Sequence, residues 1–222
     1  MINVVLVDDH QIVRAGIRRI LSEAKDINIL AEAGSGEEAV QFIRNNEVDV
    51  VLMDIHMPGI GGLEATRKIV HYSPNIKVIV LTVSNDEIYP VRFLKSGAMG
   101  YLTKDCQAEE LIQAIKQVKS GQRYLSAEIA QQLALKRFDN RDSPFDALSE
   151  RELQVMLMIT RGEKVPKIAE QLHLSTKTVN TYRYRIFNKL GVNSDVEMTH
   201  LALRYNVIEN HLAQQDVSSS NV

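Results

Sequence analysis

Four places along the chain carry residues that could do chemistry together. The adjacent carboxylates Asp8 and Asp9 follow the apolar run Val4-Val5-Leu6-Val7, and Asp54 ends the run Val50-Val51-Leu52-Met53. Thr82 follows Val78-Ile79-Val80-Leu81, and Lys104 follows Tyr101-Leu102-Thr103. Three carboxylates gathered in one place repel one another unless a cation neutralises them. Hard oxygen ligands with open positions suit Mg2+. With Mg2+ and Lys104 the charges balance, and a phosphoryl group can be taken up on a carboxylate oxygen. Asp54 is the nucleophile in this reading. Mg2+ and Lys104 stabilise charge on the phosphoryl oxygens, and the Thr82 hydroxyl donates to the product. Each residue also has a plainer reading. Asp8 or Asp9 could cap a helix starting near Gln11, Thr82 could be an ordinary strand residue, and Lys104 a solvated lysine. Their placement at the ends of separate apolar runs favours the chemical reading of the set.

Such a set needs elements that bring those ends together. Strand-like runs at 4–7, 27–33, 48–53, 76–81 and 100–103 alternate with helical spacing at 11–24, 37–45, 62–72, 86–96 and 107–119. Five strand–helix repeats predict an α/β domain: a five-stranded parallel, doubly wound sheet of flavodoxin-like type. The C-terminal strand ends then share one edge, where ligands bind in open α/β sheets. Asp54, stopped by the Pro58-Gly59 turn, would end a buried strand of that sheet.

Gly121 breaks the last of these helices, 127–137 has helical spacing, and 138–144 reads as a polar, proline-ended linker. Strand signals then vanish. Helical spacing at 149–160, 164–171, 176–190 and 194–205 predicts a small all-α domain. The expected organisation is 1–120 for the α/β domain, 121–146 for a linker with a helix, 147–208 for the helical domain, and 209–222 for a disordered tail.

A length of 222 residues allows one large domain or two small ones. The single cysteine, Cys106, excludes an internal disulfide framework and a cysteine-based zinc site. The first residues lack the basic start of a signal peptide. No apolar run approaches the roughly 18 residues of a membrane helix. A cytoplasmic protein with no membrane partner is expected. The net charge of −2 conceals an asymmetry, because between Arg161 and Val192 seven Lys/Arg stand against two acids. Advanced by 100° per residue, 175–190 places Val179, Arg183, Ile186 and Leu190 on one face. Lys177, Thr178, Thr181, Tyr184, Arg185 and Asn188 occupy the other. The first face packs inward, with the Arg183 stem reaching water. The second offers cations for phosphates and small polar groups for base edges. Ser175 stands at the N-cap, and 165–172 reads as a preceding short helix with Ile168, Ala169 and Leu172 inward. Together they describe a helix-turn-helix. A solvated charged helix pair is the plainer alternative.

The blocks Val7-Asp8-Asp9-His10, Met53-Asp54-Ile55-His56-Met57-Pro58-Gly59, Leu81-Thr82-Val83-Ser84 and Gly97-Ala98-Met99-Gly100-Tyr101-Leu102-Thr103-Lys104 resemble, in order and spacing, the receiver domain of bacterial two-component response regulators. The resemblance implies that Asp54 accepts phosphate from a histidine kinase. It implies that Asp9, Asp54 and the His56 backbone carbonyl bind Mg2+, with Asp8 acting through water. It makes Tyr101 an aromatic switch that turns inward as Thr82 moves, and makes His56 and Ser84 tuners of acyl-phosphate hydrolysis. Leu148-Ser149-Glu150-Arg151-Glu152, Ile168-Ala169, Leu174-Ser175-Thr176-Lys177-Thr178-Val179 and Lys189-Leu190-Gly191-Val192 resemble the LuxR-type domain. A receiver joined to such a domain resembles the NarL/FixJ family of transcription regulators.

Within that family, 59–69 and 179–185 closely resemble the GacA/UvrY/SirA/LetA group. For this group the resemblance implies a BarA/GacS-type hybrid sensor kinase, a homodimer once phosphorylated, and double-stranded promoter DNA as partner. The output is transcription of small regulatory RNAs that antagonise a CsrA/RsmA-type repressor. By family position Asn180, Thr181 and Tyr184 face base edges. Lys164, Lys167, Lys177, Thr178, Arg185 and Lys189 touch phosphates.

Two positions depart from the common receiver pattern. Asp105 follows Lys104 where many receivers have proline, so a trans bond is expected, since a cis non-proline bond costs about 2.5–4 kcal/mol. Val83 stands where many have a smaller residue, which narrows access to the phosphoryl group. The chain is not expected to be an enzyme beyond its own phosphorylation and dephosphorylation. The rival readings are a Mg2+-dependent phosphotransferase or phosphatase using Asp54, and a receiver acting only through protein contacts. The first lacks a second carboxylate two residues after Asp54. A nucleotide-binding flavodoxin-like protein would need a glycine-rich phosphate loop after the first strand, and none is present.

Overall fold

A computed structural model describes residues 1–82, 89–138, 143–205, 207 and 208. The expectations for Val83, Ser84 and 86–88, for 139–142 of the linker, and for the tail 209–222 lie outside the described residues. The chain divides into two compact units between Asn140 and Arg141.

Valine and isoleucine dominate the strands of the first unit, because branched side chains suit a pleated surface packed on both faces. The strands are β1 (Ile2–Val7), β2 (Ile27–Ala33), β3 (Val50–Asp54), β4 (Lys77–Thr82), β5 (Gly100–Thr103) and β6 (Tyr124–Leu125). The sheet order is β2-β1-β3-β4-β5-β6, with every pairing parallel. The expected five strands are therefore corrected to six. Tyr124-Leu125 is too short to show an alternation, and its amide at Tyr124 bonds the Met99 carbonyl at 3.0 Å.

The helices are α1 (Gln11–Ser22), α2 (Gly36–Ile43), α3 (Gly61–Tyr72), α4 (Tyr89–Lys95), α5 (Ala108–Lys119) and α6 (Ala127–Phe138). Strand alternation divides the core. Val5, Val7, Val51 and Met53 pack with Ala39, Val40 and Ile43 of α2 and Ala65 and Ile69 of α3. Val4, Leu6, Val50 and Leu52 face the other way, with Leu21 of α1 and Leu111, Ala114, Ile115 and Val118 of α5. The stretch read as a linker is divided: β6 and α6 fall in the first unit, and a 3-10 turn, Pro144–Ala147, in the second. No described peptide bond is cis, so Lys104–Asp105 is trans as expected.

From β1 the chain crosses outward to β2, then returns past β1 to β3. That reversal opens a crevice beyond the C-terminal ends of β1 and β3, where α/β sheets bind ligands. Asp8, Asp9 and Asp54 stand on its two sides.

The second unit contains α7 (Glu150–Thr160), α8 (Val165–Gln171), α9 (Thr176–Leu190) and α10 (Asp195–Arg204). Its buried residues include Phe145, Leu153, Met156, Ile168, Val179, Ile186, Phe187 and Met198. Ser149, Ser175 and Ser194 cap α7, α9 and α10, each accepting a backbone N–H three residues on. Gly191 ends α9 in the left-handed conformation that glycine adopts without strain. Among the described residues no helix is long and apolar enough to cross a membrane.

Candidate functional site

Asp8 and Asp9 lie just past β1, Asp54 ends β3, Thr82 ends β4 and Lys104 lies just past β5. These strands are neighbours in the sheet, so the expected set converges. Ligand atoms of Asp8, Asp9, His10 and Asp54 lie within 4.8 Å of one another. Lys104 Nζ stands 2.6 Å from Asp8 Oδ2 and 2.8 Å from Asp54 Oδ1. Asp8 and Asp54 are each 3% exposed, and Thr82 is fully buried. The Lys104 amide donates to the Thr82 carbonyl at 2.6 Å, tying two of these ends together.

Neither aspartate caps α1. Its N-cap is His10, and Asp8 Oδ1 instead accepts the His10 amide at 2.8 Å. The His10 ring, largely in solvent, places Nδ1 2.9 Å from Asp9 Oδ1.

Burial holds the Asp54 carboxyl above its ordinary value; hydrogen bonding and charge from Lys104 pull it down, and the charge of Asp8 adds to the rise. Burial alone would lower the Lys104 ammonium, but its bonds to Asp54 and Asp8 prevail and raise it. One ammonium offsets one of three carboxylates, and a divalent cation matches the remaining two. Three hard oxygen donors beside open solvent at Asp9 fit Mg2+. Receiver domains generally bind that ion at such an acidic pocket. Cys106 is half-buried, and burial pushes its thiol up to about 11, so it stays protonated at neutral pH.

The loop after Asp54 is held by a contact that sequence reasoning missed. Gly62 N donates to the Ile55 carbonyl at 3.2 Å, and a Cβ on Gly62 would stand 1.9 Å from the Asp54 carbonyl oxygen. Only glycine lets α3 start against the backbone of Asp54. The signal available was the glycine-dense run Pro58-Gly59-Ile60-Gly61-Gly62 at a helix start. Tyr101 is fully buried, already turned inward. Its ring centroid lies 6.1 Å from that of Phe93, Phe93 lies 6.1 Å from Tyr89, and Tyr89 lies 5.3 Å from His56. Aromatic rings thus run from the loop after Asp54 to β5.

In the second unit α8, a short turn and α9 form the expected helix-turn-helix, with Ile168, Ala169 and Leu172 buried. On α9, Lys177, Thr181, Tyr184, Arg185 and Asn188 are exposed, and Thr178 and Asn180 half-buried. Thr178 Oγ1 sits 2.8 Å from the capping Ser175 hydroxyl, and Thr181 Oγ1 donates to the Lys177 carbonyl at 2.9 Å. The Thr181 hydroxyl proton is thus engaged within the helix.

The inner face differs from the helical-wheel expectation. Phe187 is buried, while Leu190 is only half-buried. Arg183 is only half-buried, and on its way to water its Nε and Nη2 bond Asp195 of α10 at 2.7 and 2.6 Å, and its guanidinium covers the Phe187 ring at 5.4 Å. Lys189 Nζ lies 2.6 Å from buried Glu152 Oε2 and donates to the Ala147 carbonyl at 3.1 Å. Lys167 stands 3.3 Å from Glu163. Lys164 caps α8 by position and is exposed. Of the cations expected on phosphates, Lys164, Lys177 and Arg185 make no ion pair among the described residues. The Glu152 partnership was missed as well; the Ser149-x-x-Glu152 capping box pointed to half of it.

Comparison with known proteins agrees with both halves. The family described as response regulator receiver domain matches residues 4–116, and bacterial regulatory proteins, luxR family, matches residues 146–202. The chain is 57% identical to the response regulator UvrY of Escherichia coli over 207 residues, 92% of this chain and 95% of that one. It is 53% identical to the response regulator GacA of Pseudomonas aeruginosa over 211 residues, 94% of this chain and 99% of the other. A crystal structure of a LuxR-family two-component response regulator from Aurantimonas sp. is 37% identical, with a TM-score of 0.59, covering 61% of this chain and 97% of that one. An acidic pocket on a doubly wound sheet and a helix-turn-helix with an exposed basic face are the two working parts of one kind of protein, and the chain belongs to the two-component response regulators with a DNA-binding domain of the luxR family, which partner with histidine kinases and regulate transcription.

Proposed function

We propose that Asp54 is the phosphoacceptor of this regulator. The observation that carries this reading is the buried Asp54 carboxylate at the end of the central strand, 2.8 Å from the Lys104 ammonium. Asp9, Asp54 and the His56 backbone carbonyl hold Mg2+, and Asp8 acts through water. The ion supplies charge stabilisation for the phosphoryl oxygens. Lys104 neutralises a phosphoryl oxygen, Thr82 donates its hydroxyl to the acyl phosphate, and Tyr101, already inward here, keeps that position when Thr82 moves. His56 and Ser84 set access of water to the phosphate.

Phosphorylated chains dimerise, so that two α9 helices meet two half-sites of promoter DNA. Asn180, Thr181 and Tyr184 face base edges, Asn188 lies on the same face, and Lys164, Lys167, Lys177, Thr178 and Arg185 face phosphates, while Lys189, expected among them, pairs with Glu152. The likeness to UvrY and GacA supports a BarA/GacS-type hybrid kinase as donor and small regulatory RNA genes, antagonists of a CsrA/RsmA-type repressor, as targets. A small-molecule phosphodonor with Mg2+ tests the chemistry. The expected result is one phosphate per chain, absent in Asp54→Asn, with promoter binding strengthened in the phosphorylated protein alone. Many turnovers per chain, or equal DNA binding by Asp54→Asn and phosphorylated protein, would overturn the reading. Mapping the DNA bound across the genome tests the targets.

A further inference from the structure

We propose that Glu37 is a positioning residue for Mg2+-dependent phosphorylation, acting by pinning the turn of the β3–α3 loop. The proposal rests on the reading that this loop supplies the His56 carbonyl to the metal. Two consecutive glutamates open α2, and they do different work. Glu38 stays with its own helix, its amide bonded to the capping Ser35 and its carboxylate accepting the Gly34 amide at 2.8 Å. Glu37 reaches across to another element and accepts the Ile60 amide at 2.9 Å, 23 residues away in sequence.

The surrounding backbone is shaped to admit that carboxylate. Gly59 has φ of +70°, and a Cβ there would stand 2.4 Å from Glu37 Oε1 and 2.6 Å from Oε2. The carboxylate occupies the space that any other residue at 59 would fill. Gly36 lets the helices approach: a Cβ on it would meet Ala65 Cβ at 2.8 Å, Ile60 Cγ1 at 2.9 Å and the Gly61 carbonyl at 3.0 Å. The loop is thus held at its far end by Glu37 and at its near end by the bond from Gly62 to Ile55. His56 lies between these two anchors. A metal ligand offered by a backbone carbonyl is as well placed as the loop that carries it.

The test titrates Mg2+ alone into wild type, Glu37→Ala and Glu37→Gln, following the backbone amide resonances of 54–57, 59 and 60, and measures the Mg2+ dependence of phosphorylation by a small phosphodonor. Loss of a charge-assisted hydrogen bond that fixes a ligand predicts about three- to tenfold weaker Mg2+ binding in Glu37→Ala. The Mg2+ concentration for half-maximal phosphorylation rises by the same factor, while the rate at saturating Mg2+ stays within about twofold. Glu37→Gln, which keeps one acceptor, falls between. Hydrogen exchange at the Ile60 amide quickens in Glu37→Ala with no metal present. Wild-type Mg2+ affinity in Glu37→Ala overturns the proposal, whether or not Ile60 exchange changes. If wild type itself needs no Mg2+ for phosphorylation, the metal reading fails instead, and the two failures are distinct.

Discussion

Each unit buries a carboxylate against a lysine, and the two pairs have opposite characters. In the first, one ammonium, Lys104, lies between Asp8 and Asp54, and the Asp54 carboxyl is held above its ordinary value. In the second, Lys189 pairs with a single carboxylate, Glu152. Although burial disfavours the charged form there too, Lys189 and the amide and hydroxyl of Ser149 hold that carboxyl below its ordinary value. The functional groups are the same and the counting differs. Two carboxylates sharing one cation leave negative charge that a metal and an incoming phosphoryl group can answer. One carboxylate with a cation and two further donors has nothing left to react. The contrast separates a reactive pocket from a clamp that fixes α9 to α7.

The largest expected effect is on the reactive side. Asp54→Asn removes all phosphate incorporation, measured by intact mass after exposure to a phosphodonor. It also raises the unfolding temperature of the first unit in metal-free buffer near neutral pH. A carboxyl raised in the folded state favours folding fully below the ordinary value of 3.8 and loses that contribution as pH rises through the folded-state value. Asparagine carries no such loss. An unchanged or lower unfolding temperature would mean that Lys104 already balances the pocket.

On the clamp side, Glu152→Ala is expected to cost the second unit about 2 kcal/mol, because it removes a capping partner and leaves the Ala147–Lys189 corner uncompensated. Its pH dependence has the opposite sign. Glu152 supports the fold above its ordinary value of 4.5 and loses that support as pH falls through the lowered folded-state value. Calorimetry of the full chain between pH 3 and 6 (roughly the carboxylate range) checks this through the transition that Glu152→Ala shifts.

Lys189 then distinguishes a clamp from a DNA-binding cation. Replacing Lys177 or Arg185 with alanine lowers the salt slope of promoter binding by about 0.9 for each phosphate no longer neutralised. Lys189→Ala is expected to lower stability and leave that slope unchanged. A reduced slope with unchanged stability would show that Lys189 leaves Glu152 when DNA binds. The smallest effect concerns His173, whose φ of +53° lies in the left-handed region at the end of α8. His173→Gly or His173→Asn should stabilise the second unit by up to about 1 kcal/mol. Destabilisation by either would mean that the imidazole itself supports the turn.

The parts legible in the sequence were those with a local signature. Strand-like runs of four to seven residues marked the five longer strands, and the residue closing three of those runs marked Asp54, Thr82 and Lys104. The glycine-ended basic helix marked α9. What escaped depended on partners remote in the chain. β6 offers two residues, too few for a period of two to show. A helical wheel places Phe187 at the margin of the inner face, and only packing against the rest of the unit buries it. Arg183 and Lys189 looked like members of a basic run, since Asp195 and Glu152 reach them only through the tertiary fold. Gly62 read as the first residue of a helix, while its reason for being glycine is the carbonyl of Asp54.

The row of rings beside the pocket has a practical consequence for observing the protein. The chain has no tryptophan and seven tyrosines, so its near-ultraviolet absorption and emission are dominated by tyrosine. Of those seven, Tyr89 and Tyr101 are the buried ones, and both belong to the row that begins at His56. Tyrosines 72, 124, 182, 184 and 205 are half-buried or exposed and contribute a weaker, averaged dichroic background. The near-ultraviolet circular dichroism of the unlabelled protein is therefore weighted toward the rings nearest the pocket, and it provides an optical readout of that pocket with no dye attached.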